Sequence, residues 1–511
     1  MKKSADVRMT PLDKAIGVFS PTTAAKRLAA RASLVHQQRL YEGASRGRQT
    51  DGWRSSSTAA DSEIAAAGPL LRDRSRDLVR NNALAAQAVQ VLVNNIVGTG
   101  IRPRAASGNK SLNKKVDKLW AEWSRHCDAH GHTDFHGVLS LAVREMIEGG
   151  EVLGLKRPRR RSGSKVPLQI ELYEADHLDD GKWESNPTGP RISQGIEYDA
   201  SGRRSAFWMF PDHPGDTTNV FRRTTESVRI PADNVAHLFE RQRVQSRGVP
   251  WGAPAMIALR DLGDWQVAEM VRKKTEACMV GIVIGEDAAG ETSMAPTVED
   301  GMGNQIEQFS PGMIAYATGG KDIKFNTPGH SGGVAEWNRT QMMIIAAGFR
   351  VPYALMTGDL SQANFSSNRA GLNEFRRMVE QIQWTIVIPM FCEKIWQWFC
   401  DAAYTAGLIP TADVQAEWAP PKFESVNPKQ DAETDLIETR AGFATRSQMI
   451  AKRGYDPLEV YEEMDRDNKE ADRLGLILDS DPRRVSKAGL SQDSETSDAE
   501  PSRPAEDNQK D

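Results

Sequence analysis

The chain has 511 residues, 39% of them hydrophobic and 26% charged, and a formal net charge of −4. This length predicts roughly two to four folding units, and the near-neutral balance excludes a polycation that grips nucleic acid over its whole surface. Four cysteines without the spacing of a disulfide framework or a zinc knuckle predict reduced thiols. No apolar run approaches the ~20 residues of a membrane span, and MKKSADVRMT does not introduce a signal peptide. We therefore expect a soluble protein without a membrane partner.

The N-terminal third predicts a basic arm that contains some helix, followed by further helices. Within residues 1–50, only Asp6, Asp13 and Glu42 oppose a larger set of cations: Lys2, Lys3, Arg8, Lys14, Lys26, Arg27, Arg31, Arg39, Arg46 and Arg48. From about Pro69 to Gly98, apolar residues recur at helical spacing and predict one helix. SLNKKVDKLWAEWSRHCD predicts a second, with Val116, Leu119, Trp120 and Trp123 on its apolar side.

Between about Glu151 and Arg243 the pattern changes to strands. Short alternating runs such as LQIELYE, SAFWMF and NVAHLFE are separated by Gly, Pro and Asp. The Asp199–Gly202 stretch between GIEY and SAFWMF predicts a hairpin turn. We expect a mixed or antiparallel sheet.

Helix returns near Ala253 with a stripe of apolar residues. On a helical wheel an arc of about 120° holds Met256, Leu259, Val267, Met270, Val271, Ala277 and Cys278. Residues 285–330 are rich in Gly, Pro and Thr and predict a small insert with scattered short strands. EWNRTQMMIIAAGF then resumes helix.

A soft segment, VPYALMTGDLSQANFSSNRAGLNEFRR, follows from Val351 and offers little to pack. The next helix carries Phe375, Val379, Ile382 and Ile386 as a stripe, and Pro389 within it predicts a kink, because proline lacks the backbone donor. Helix is predicted again over 431–476, and the remaining tail has a disordered composition.

Three stretches contain side chains that could form a chemical site. HCDAHGHTDFH (His126–His136) offers clustered ligands, yet its spacing fits no standard zinc framework, so a polar turn is favoured. Carboxylates in GGE (Gly149–Glu151) and LYEADHLDD (Leu172–Asp180) would suit acid/base or magnesium chemistry, but such carboxylates are common at strand ends and turns. The chain has neither a phosphate-binding G-x-x-x-x-G-K-[ST] motif nor a G-x-S-x-G nucleophile elbow.

Two further clusters have competing interpretations. KRPRRRSGSK (Lys156–Lys165) fits a phosphate contact and a solvated loop equally well. The aromatic residues Trp384, Phe391, Trp396, Trp398 and Phe399 are interpreted as core and not as a platform for stacked bases.

Four ordered stretches resemble the lambda-type family of tailed-phage portal proteins: YEGASRGRQTDGW (Tyr41–Trp53), LVRNNALAAQAVQVLVNNIVGTGI (Leu78–Ile101), RGVPWGAPAMIALRDLGDW (Arg247–Trp265) and the soft segment from Val351. The resemblance runs from about residue 30 to 475. Where the family has a turn with acidic residues and glycine, this chain has His126–His136. Asp128, Gly131 and Asp134 fit that turn and the histidines are extra.

The resemblance implies an α+β portal fold assembled as a cyclic ring, typically twelve-fold, at one capsid vertex. Its parts map onto the chain as a basic N-terminal arm (1–50), a mixed β/helical wing (51–250), a first stem helix (251–284), an α/β clip (285–333), a second stem helix (334–350), a tunnel loop (351–370), a long kinked helix returning to the wing (371–430), a helical crown (431–478) and a disordered tail (479–511).

The family implies a structural protein, neither an enzyme nor dependent on a cofactor or metal, that acts in the virion after assembly in the host cytoplasm. Its implied partners are further copies of itself, double-stranded DNA bound without sequence specificity, the terminase large subunit that pumps the DNA, the major capsid protein and scaffold, and head–tail adaptor proteins. The same DNA leaves through the ring at infection.

Two sets of residues then acquire expected roles. The residues expected to face DNA from the tunnel loop are Gln362, Asn364, Ser366, Ser367, Asn368 and Arg369. The residues expected to bury against neighbouring subunits are Met256, Leu259, Val267, Met270 and Val271.

Two alternatives stay open on the sequence. One is a metal-dependent DNA-processing enzyme that uses His126, His130, His132 and Asp134. The other is a different capsid or head–tail adaptor component, although such proteins are usually much shorter. The basic arm fits a contact to scaffold, capsid or DNA.

Overall fold

The computed structural model of the chain describes residues 11–38, 51–52, 57–160, 163–186, 189–218, 226–278, 282–285, 297–299, 305–307, 315–318, 333–361, 365–421, 423, 428–453, 455 and 457–478. The predicted tail (479–511) and most of the predicted clip lie outside these ranges. The chain divides into two compact units, Met1–Ala59 and Ala60–Asp511. No helix in the described ranges is both long enough and apolar enough to cross a membrane.

The first unit contains a pair of contacting helices, α1 (Pro11–Phe19) and α2 (Pro21–Gln38). Asp13 of α1 accepts a hydrogen bond from Arg27 Nε of α2 at 3.3 Å. This salt bridge crosses between the two helices, and the helical content predicted for the basic arm is confirmed.

The second unit begins with α3 (Ala60–Asn81), α4 (Ala83–Ile96), strand β1 (Arg102–Ala105), α5 (Lys110–Ser124) and α6 (Phe135–Glu148). The prediction of a single helix from Pro69 was wrong at both ends of α3. The helix starts at Ala60 with Pro69 inside it, and it ends at Asn81 because the Asn82 side chain caps α4, accepting from the backbone N–H groups of Leu84 and Ala85.

Two antiparallel sheets follow, as the alternating pattern predicted. Their strands are β2 (Glu151–Arg157), β3 (Gln169–Glu174), β4 (Arg191–Ser193), β5 (Ile196–Tyr198), β6 (Arg204–Met209), β7 (Val228–Pro231) and β8 (Val235–Phe239). One sheet has the order β3-β2-β8 and the other β4-β5-β6-β7. The predicted turn joins β5 to β6, with Gly202 at φ +81° and its N–H donating to Asp199 O at 3.0 Å.

A helical hairpin comes next, formed by α7 (Met256–Cys278) and α8 (Val334–Gly348). In the sequence between the two helices, the described residues form four short strands, β9 (Ile282–Gly285), β10 (Thr297–Glu299), β11 (Gln305–Glu307) and β12 (Ala315–Thr318). Strands β9 and β12 pair in parallel, and β10 and β11 pair antiparallel. The scattered short strands predicted for the insert are confirmed in its described part.

The C-terminal part is helical. It comprises α9 (Tyr353–Thr357), α10 (Phe365–Ile382), a π-helical stretch (Gln383–Cys392), α11 (Glu393–Thr405), β13 (Ala416–Ala419), α12 (Pro428–Ala441), α13 (Arg446–Lys452) and α14 (Pro457–Leu474). Strand β13 pairs antiparallel with β1, which brings two segments that are distant in the sequence together. Helices α12–α14 bury no residue within the chain, in contrast to α4, α5, α6 and α11.

The predicted disturbance at Pro389 takes the form of a π-helix and not a break. Pro389 cannot donate to the preceding turn, and the π-helical stretch around it uses i→i−5 bonds, such as that from Glu393 N–H to Ile388 O. Phe375, Val379 and Ile382 are buried and Ile386 is a partly buried residue packed against the core, so the predicted stripe is confirmed.

The larger of two buried apolar clusters joins helices α4–α6 and α11 to the β3-β2-β8 sheet, and a smaller one joins that sheet to β5 and β6. Trp120 of α5 contacts Phe399 of α11 edge-to-face at 5.1 Å and Trp396 at 5.0 Å between ring centroids. Phe391, Trp396, Trp398 and Phe399 are core as predicted, but the prediction was wrong for Trp384, whose side chain is 48% exposed.

Candidate functional site

The α7–α8 hairpin has a buried base and an exposed shaft. At the base, Leu259 and Leu262 of α7 and Ile345 of α8 belong to the main core. Further along, Trp265 of α7 and Trp337 of α8 pack against each other with ring centroids 4.4 Å apart. The hairpin is therefore held by its own aromatic contact where it leaves the core.

The predicted subunit interface on α7 is narrower than the wheel suggested. Met256 and Leu259 are 7% and 0% exposed because both pack inside the chain's own core, so neither offers surface to a neighbour. Val267, Met270 and Val271 are 64%, 58% and 57% exposed. Exposed apolar side chains at helical spacing on a projecting helix are typical of a surface that another protein covers.

The soft segment contains more structure than its composition predicted. Met356 of α9 is buried, and Tyr353 donates its hydroxyl to Asp359 at 3.0 Å. Gly358 ends α9 at φ +74°, a left-handed conformation that favours glycine. The prediction that this segment would have little packing was therefore wrong for residues 351–359. Gln362 and Asn364 lie outside the described residues.

Helix α10 begins at Phe365, so the loop ends earlier than the predicted boundary at residue 370. Ser366, Ser367 and Asn368 are therefore in the first turn of a helix. Arg369 follows them, and its guanidinium pairs with Asp431 of α12 at 3.1 Å and donates to Gln430 Oε1 at 3.1 Å. Arg369 is thus already engaged with the C-terminal helices, contrary to its expected place on an open loop.

The carboxylates of Gly149–Glu151 and Leu172–Asp180 do come together, but they are joined by arginines. Glu151, fully buried at the start of β2, accepts from Arg247 Nε at 2.7 Å and from His237 Nε2 at 2.8 Å. Asp180 pairs with Arg247 and with Arg72 of α3, the latter at 2.8 Å. Because the carboxylates are neutralised in this way, the arrangement is a structural charge network and not an acid/base pair.

Two glycines let the backbone reach this network. Gly248 donates its N–H to Glu151 Oε2 at 3.0 Å. A Cβ on Gly248 would lie 2.0 Å from the carbonyl oxygen of Gly150, which itself has φ +93°. The backbones at Gly150 and Gly248 therefore approach too closely for any residue with a Cβ atom at position 248.

The charges within the network are set by burial and by partners. Burial alone would raise the pKa of Glu151, but the Arg247 charge and the His237 hydrogen bond hold that pKa well below its ordinary value. Burial lowers the pKa of His237 to about 4, so the imidazole is neutral. Its Nε2 then donates to Glu151, and its Nδ1, 2.9 Å from Arg204 Nη1, accepts.

The His126–His136 stretch forms a turn whose carboxylates serve the backbone. Asp128 accepts from the N–H groups of His130, His132 and Thr133, at 3.1, 2.7 and 3.2 Å. Asp134 caps α6 by accepting from Gly137 N–H at 2.9 Å. The two aspartates therefore act as turn and cap residues, in agreement with the predicted polar turn.

Within the described part of the chain, the ligand atoms of Glu174, Asp176 and His213 come within 4.8 Å of one another. Arg76 Nη2 already lies 2.9 Å from Glu174 and 2.7 Å from Asp176. A guanidinium in this position supplies the positive charge that a cation would bring, so the cluster reads as a salt-bridge network.

Sequence reasoning missed Arg72 and Arg247, the residues that organise the buried carboxylates. Arg247 opens RGVPWG, one of the stretches that carried the family resemblance, but Arg72 lies in a helix with several other arginines and no local pattern distinguishes it.

The pattern of the family described as "Phage portal protein, lambda family" matches residues 46–383. The chain is 25% identical over 464 residues to the "Probable portal protein" of Halomonas phage phiHAP-1, covering 86% of this chain and 88% of the relative. It is 21% identical to the "Portal protein" of Escherichia phage N15, with coverage of 84% and 89%. It is 20% identical to "Portal protein B" of Escherichia phage lambda, with coverage of 89% and 93%.

Among solved structures, the chain is similar to a chain in the neck of a native gene transfer agent particle computed with C12 symmetry, with 12% identity, a TM-score of 0.39 and coverage of 75% and 94%. It is also similar to a chain in the neck of the empty particle computed with C6 symmetry, with 14% identity, a TM-score of 0.41 and coverage of 80% and 97%. All three sequence relatives are named as portal proteins. Because the family pattern spans more than half of it, this chain belongs to the lambda family of phage portal proteins.

Proposed function

We propose that this chain is the subunit of a closed homo-oligomeric ring, a dodecamer in the virion, which forms the portal at one capsid vertex and guides double-stranded DNA. The observation that carries the proposal is the family match over residues 46–383, together with relatives named as portal proteins along most of the chain. No bond-breaking step is assigned to the chain.

Self-assembly is supported by the apolar surface that the single chain leaves open. Val267, Met270 and Val271 are each more than half exposed on the shaft of α7. In a ring, each subunit buries such a stripe against its neighbour, and a head-to-tail arrangement closes after a fixed number of copies. We assign these three residues to the subunit interface and leave out Met256 and Leu259.

The channel contact is proposed for the segment around α9 and the start of α10. Gln362, Asn364, Ser366, Ser367 and Asn368 are small or uncharged, and the neighbouring cation Arg369 is paired with Asp431. Uncharged side chains offer weak, exchangeable hydrogen bonds to the DNA backbone, which carry no sequence information. Such contacts suit a duplex that has to move, because strong phosphate pairs would need to break at every step.

The wider role follows from the family. We propose that the terminase large subunit pumps DNA through the ring, that the major capsid protein, scaffold and head–tail adaptors contact it, and that DNA leaves by the same route. Assembly would take place in the host cytoplasm and the ring would remain in the virion.

Sedimentation velocity of the purified full chain tests self-assembly. We expect one discrete large species whose mass is a whole multiple of the 56.5 kDa chain. A chain that stays monomeric over the accessible range of concentration and salt would contradict the proposal.

A further inference from the structure

Helix α5 (Lys110–Ser124) has two sharply different faces. Val116, Leu119, Trp120 and Trp123 are buried, and Trp123 donates its indole N–H to Leu168 O at 2.8 Å. Asn109 caps the first turn by accepting from Ser111 and Leu112 N–H. The backbone of this helix is therefore fixed against the core. The side chains on its outer face consequently start from fixed positions.

That outer face is a row of cations. At about 100° per residue, Lys110, Lys114, Lys118 and Arg125 (the residue that caps the helix) fall within an arc of about 80°. All four are exposed, and Ala121, also exposed, is the uncharged residue between them. The row is about 22 Å long at 1.5 Å per residue. We call these four residues the basic stripe.

The stripe is largely free of acidic partners. In the described part of the chain, Lys110, Lys118 and Arg125 take part in no salt bridge, and Lys114 pairs with Glu462 of α14 at 3.0 Å. The Lys114 and Glu462 side chains are 75% and 65% exposed, so this bond is weak and exchangeable. Two carboxylates border the arc: Asp117 accepts from Ala105 N–H at 2.8 Å, and Glu122 pairs with Lys165 at 3.2 Å.

The neighbouring run KRPRRRSGSK is used differently. Arg157 pairs with Glu171, and Arg159 donates to Gln169 and to Ala129 O, so both brace the sheet. Lys165 joins the run to α5 through Glu122. The sequence favoured a phosphate contact and a solvated loop equally for this run. For Arg157 and Arg159 the structure supports neither, because both side chains bind other residues of the same chain.

We propose that the basic stripe binds the phosphate backbone of duplex DNA without sequence specificity, at a place separate from residues 351–370. B-DNA carries one charge per about 1.7 Å of axis, so a rigid row of about 22 Å spans about six base pairs of a continuous anionic surface. None of the four residues of the stripe has an aromatic or amide side chain that could bind the edges of bases. Contact is therefore limited to the phosphate backbone of the DNA. It also lacks the apolar centre that a protein–protein interface uses, which favours DNA over an acidic protein.

The test measures binding of the full chain to short duplexes of about 20 base pairs by fluorescence anisotropy, with two unrelated sequences, between about 50 and 200 mM KCl. The stripe variant is Lys110→Gln, Lys118→Gln, Arg125→Gln. The matched control removes three exposed cations elsewhere: Arg377→Gln, Arg466→Gln, Lys469→Gln, whose side chains are 77%, 73% and 75% exposed.

We expect the control to bind as the unaltered chain does. The stripe variant should bind at least tenfold more weakly at about 100 mM salt, equally for both sequences, and the slope of log K against log[salt] should fall by roughly 2 to 3, since each lost phosphate contact contributes about 0.9. Ala121→Glu, which adds a carboxylate inside the stripe, should weaken binding as well. Lys110→Arg with Lys118→Arg should retain it.

The proposal is overturned if the stripe variant and the control have the same affinity and salt slope, or if the unaltered chain does not bind duplex DNA at about 50 mM salt. Loss of assembly by the stripe variant with unchanged DNA affinity would also overturn it, because the stripe would then contact a second copy of the chain. Sedimentation of the same samples separates this result from a failure of ring formation itself.

Discussion

Arg247 Nε donates to Glu151 Oε1 across 2.7 Å, with side chains 1% and 0% exposed. The two residues are far apart in sequence. His237 from β8 contacts the same Glu151 carboxylate, and Arg72 from α3 pairs with Asp180, the second carboxylate partner of Arg247. A charge pair in this position ties the first long helix of the unit to the central sheet and to the segment that leads into α7.

Glu151→Gln should destabilise the folded subunit by about 3–5 kcal/mol, because it leaves Arg247 buried without one of its two carboxylate partners. Urea denaturation of the variant and the unaltered chain measures the difference. Glu374→Gln, which breaks an exposed pair with Arg377, is the control and should cost less than about 1 kcal/mol. A Glu151→Gln variant as stable as the control would show that the pair does not hold the fold together.

Glu145 on α6 predicts a pH dependence of the opposite sign to that of an ordinary salt-bridged carboxylate. Burial, with a contribution from Glu174, raises the pKa of Glu145 to about 7 from 4.5, and its Oε2 has no hydrogen-bond partner. The folded state thus holds the proton more tightly than the unfolded state. The stabilisation is complete below about pH 4.5 and is lost as the pH rises through about 7.

Glu145→Gln should therefore be more stable than the unaltered chain above pH 7, by about 3 kcal/mol, and equal to it below about pH 4.5. His237 acts the other way, since its folded pKa of about 4 removes stability as the pH falls from 6.5. Taking the difference between variant and unaltered chain at each pH cancels the His237 effect. A difference that does not change with pH would contradict the assignment.

Val271→Asp should prevent or weaken assembly, because it places a charge in the exposed apolar stripe of α7 without touching the core of the subunit. Size-exclusion chromatography follows the loss of the large species. Ala268→Asp, on the same helix but outside the apolar arc, introduces the same charge at another exposed position and should assemble normally. Full assembly of Val271→Asp would place the interface elsewhere.

Lysines in the channel segment should slow or stall packaging while rings still form. Asn364→Lys, Ser366→Lys and Ser367→Lys together would add strong phosphate contacts that have to break at each step of the moving DNA. Packaging rate in a reconstituted reaction with terminase is the measurement, and the same three positions changed to alanine are the control. Normal rates with the lysines would mean that these residues do not meet the DNA.

Local patterns predicted the elements, while long-range partners had to come from the structure. The Phe375–Ile382 stripe and the Asp199–Gly202 turn were predictable because period and turn chemistry are local. Asn82 is a residue type that commonly caps helices, but the helical spacing of apolar residues continues across it. The pattern therefore did not indicate that α3 ends and α4 begins there. No such signal marks Arg72 as the partner of Asp180, since an ion pair between residues that are distant in the sequence produces no periodic pattern in it.

The interface residues show a different limit. A helical wheel groups Leu259 with Val271 because they share a face, but it cannot say whether that face is covered by the same chain or by another. The structure separates them, since Leu259 is in the core and Val271 is exposed. Trp384 similarly shares its sequence neighbourhood with buried aromatics and yet lies on the outer side of its helix.

Negative-stain electron microscopy of the purified full chain tests the central claim most directly. The account predicts closed rings with a central hole, formed by the unaltered chain and by Ala268→Asp but absent or incomplete with Val271→Asp. Fields of single compact particles from the unaltered chain, without rings under any assembly condition, would contradict it.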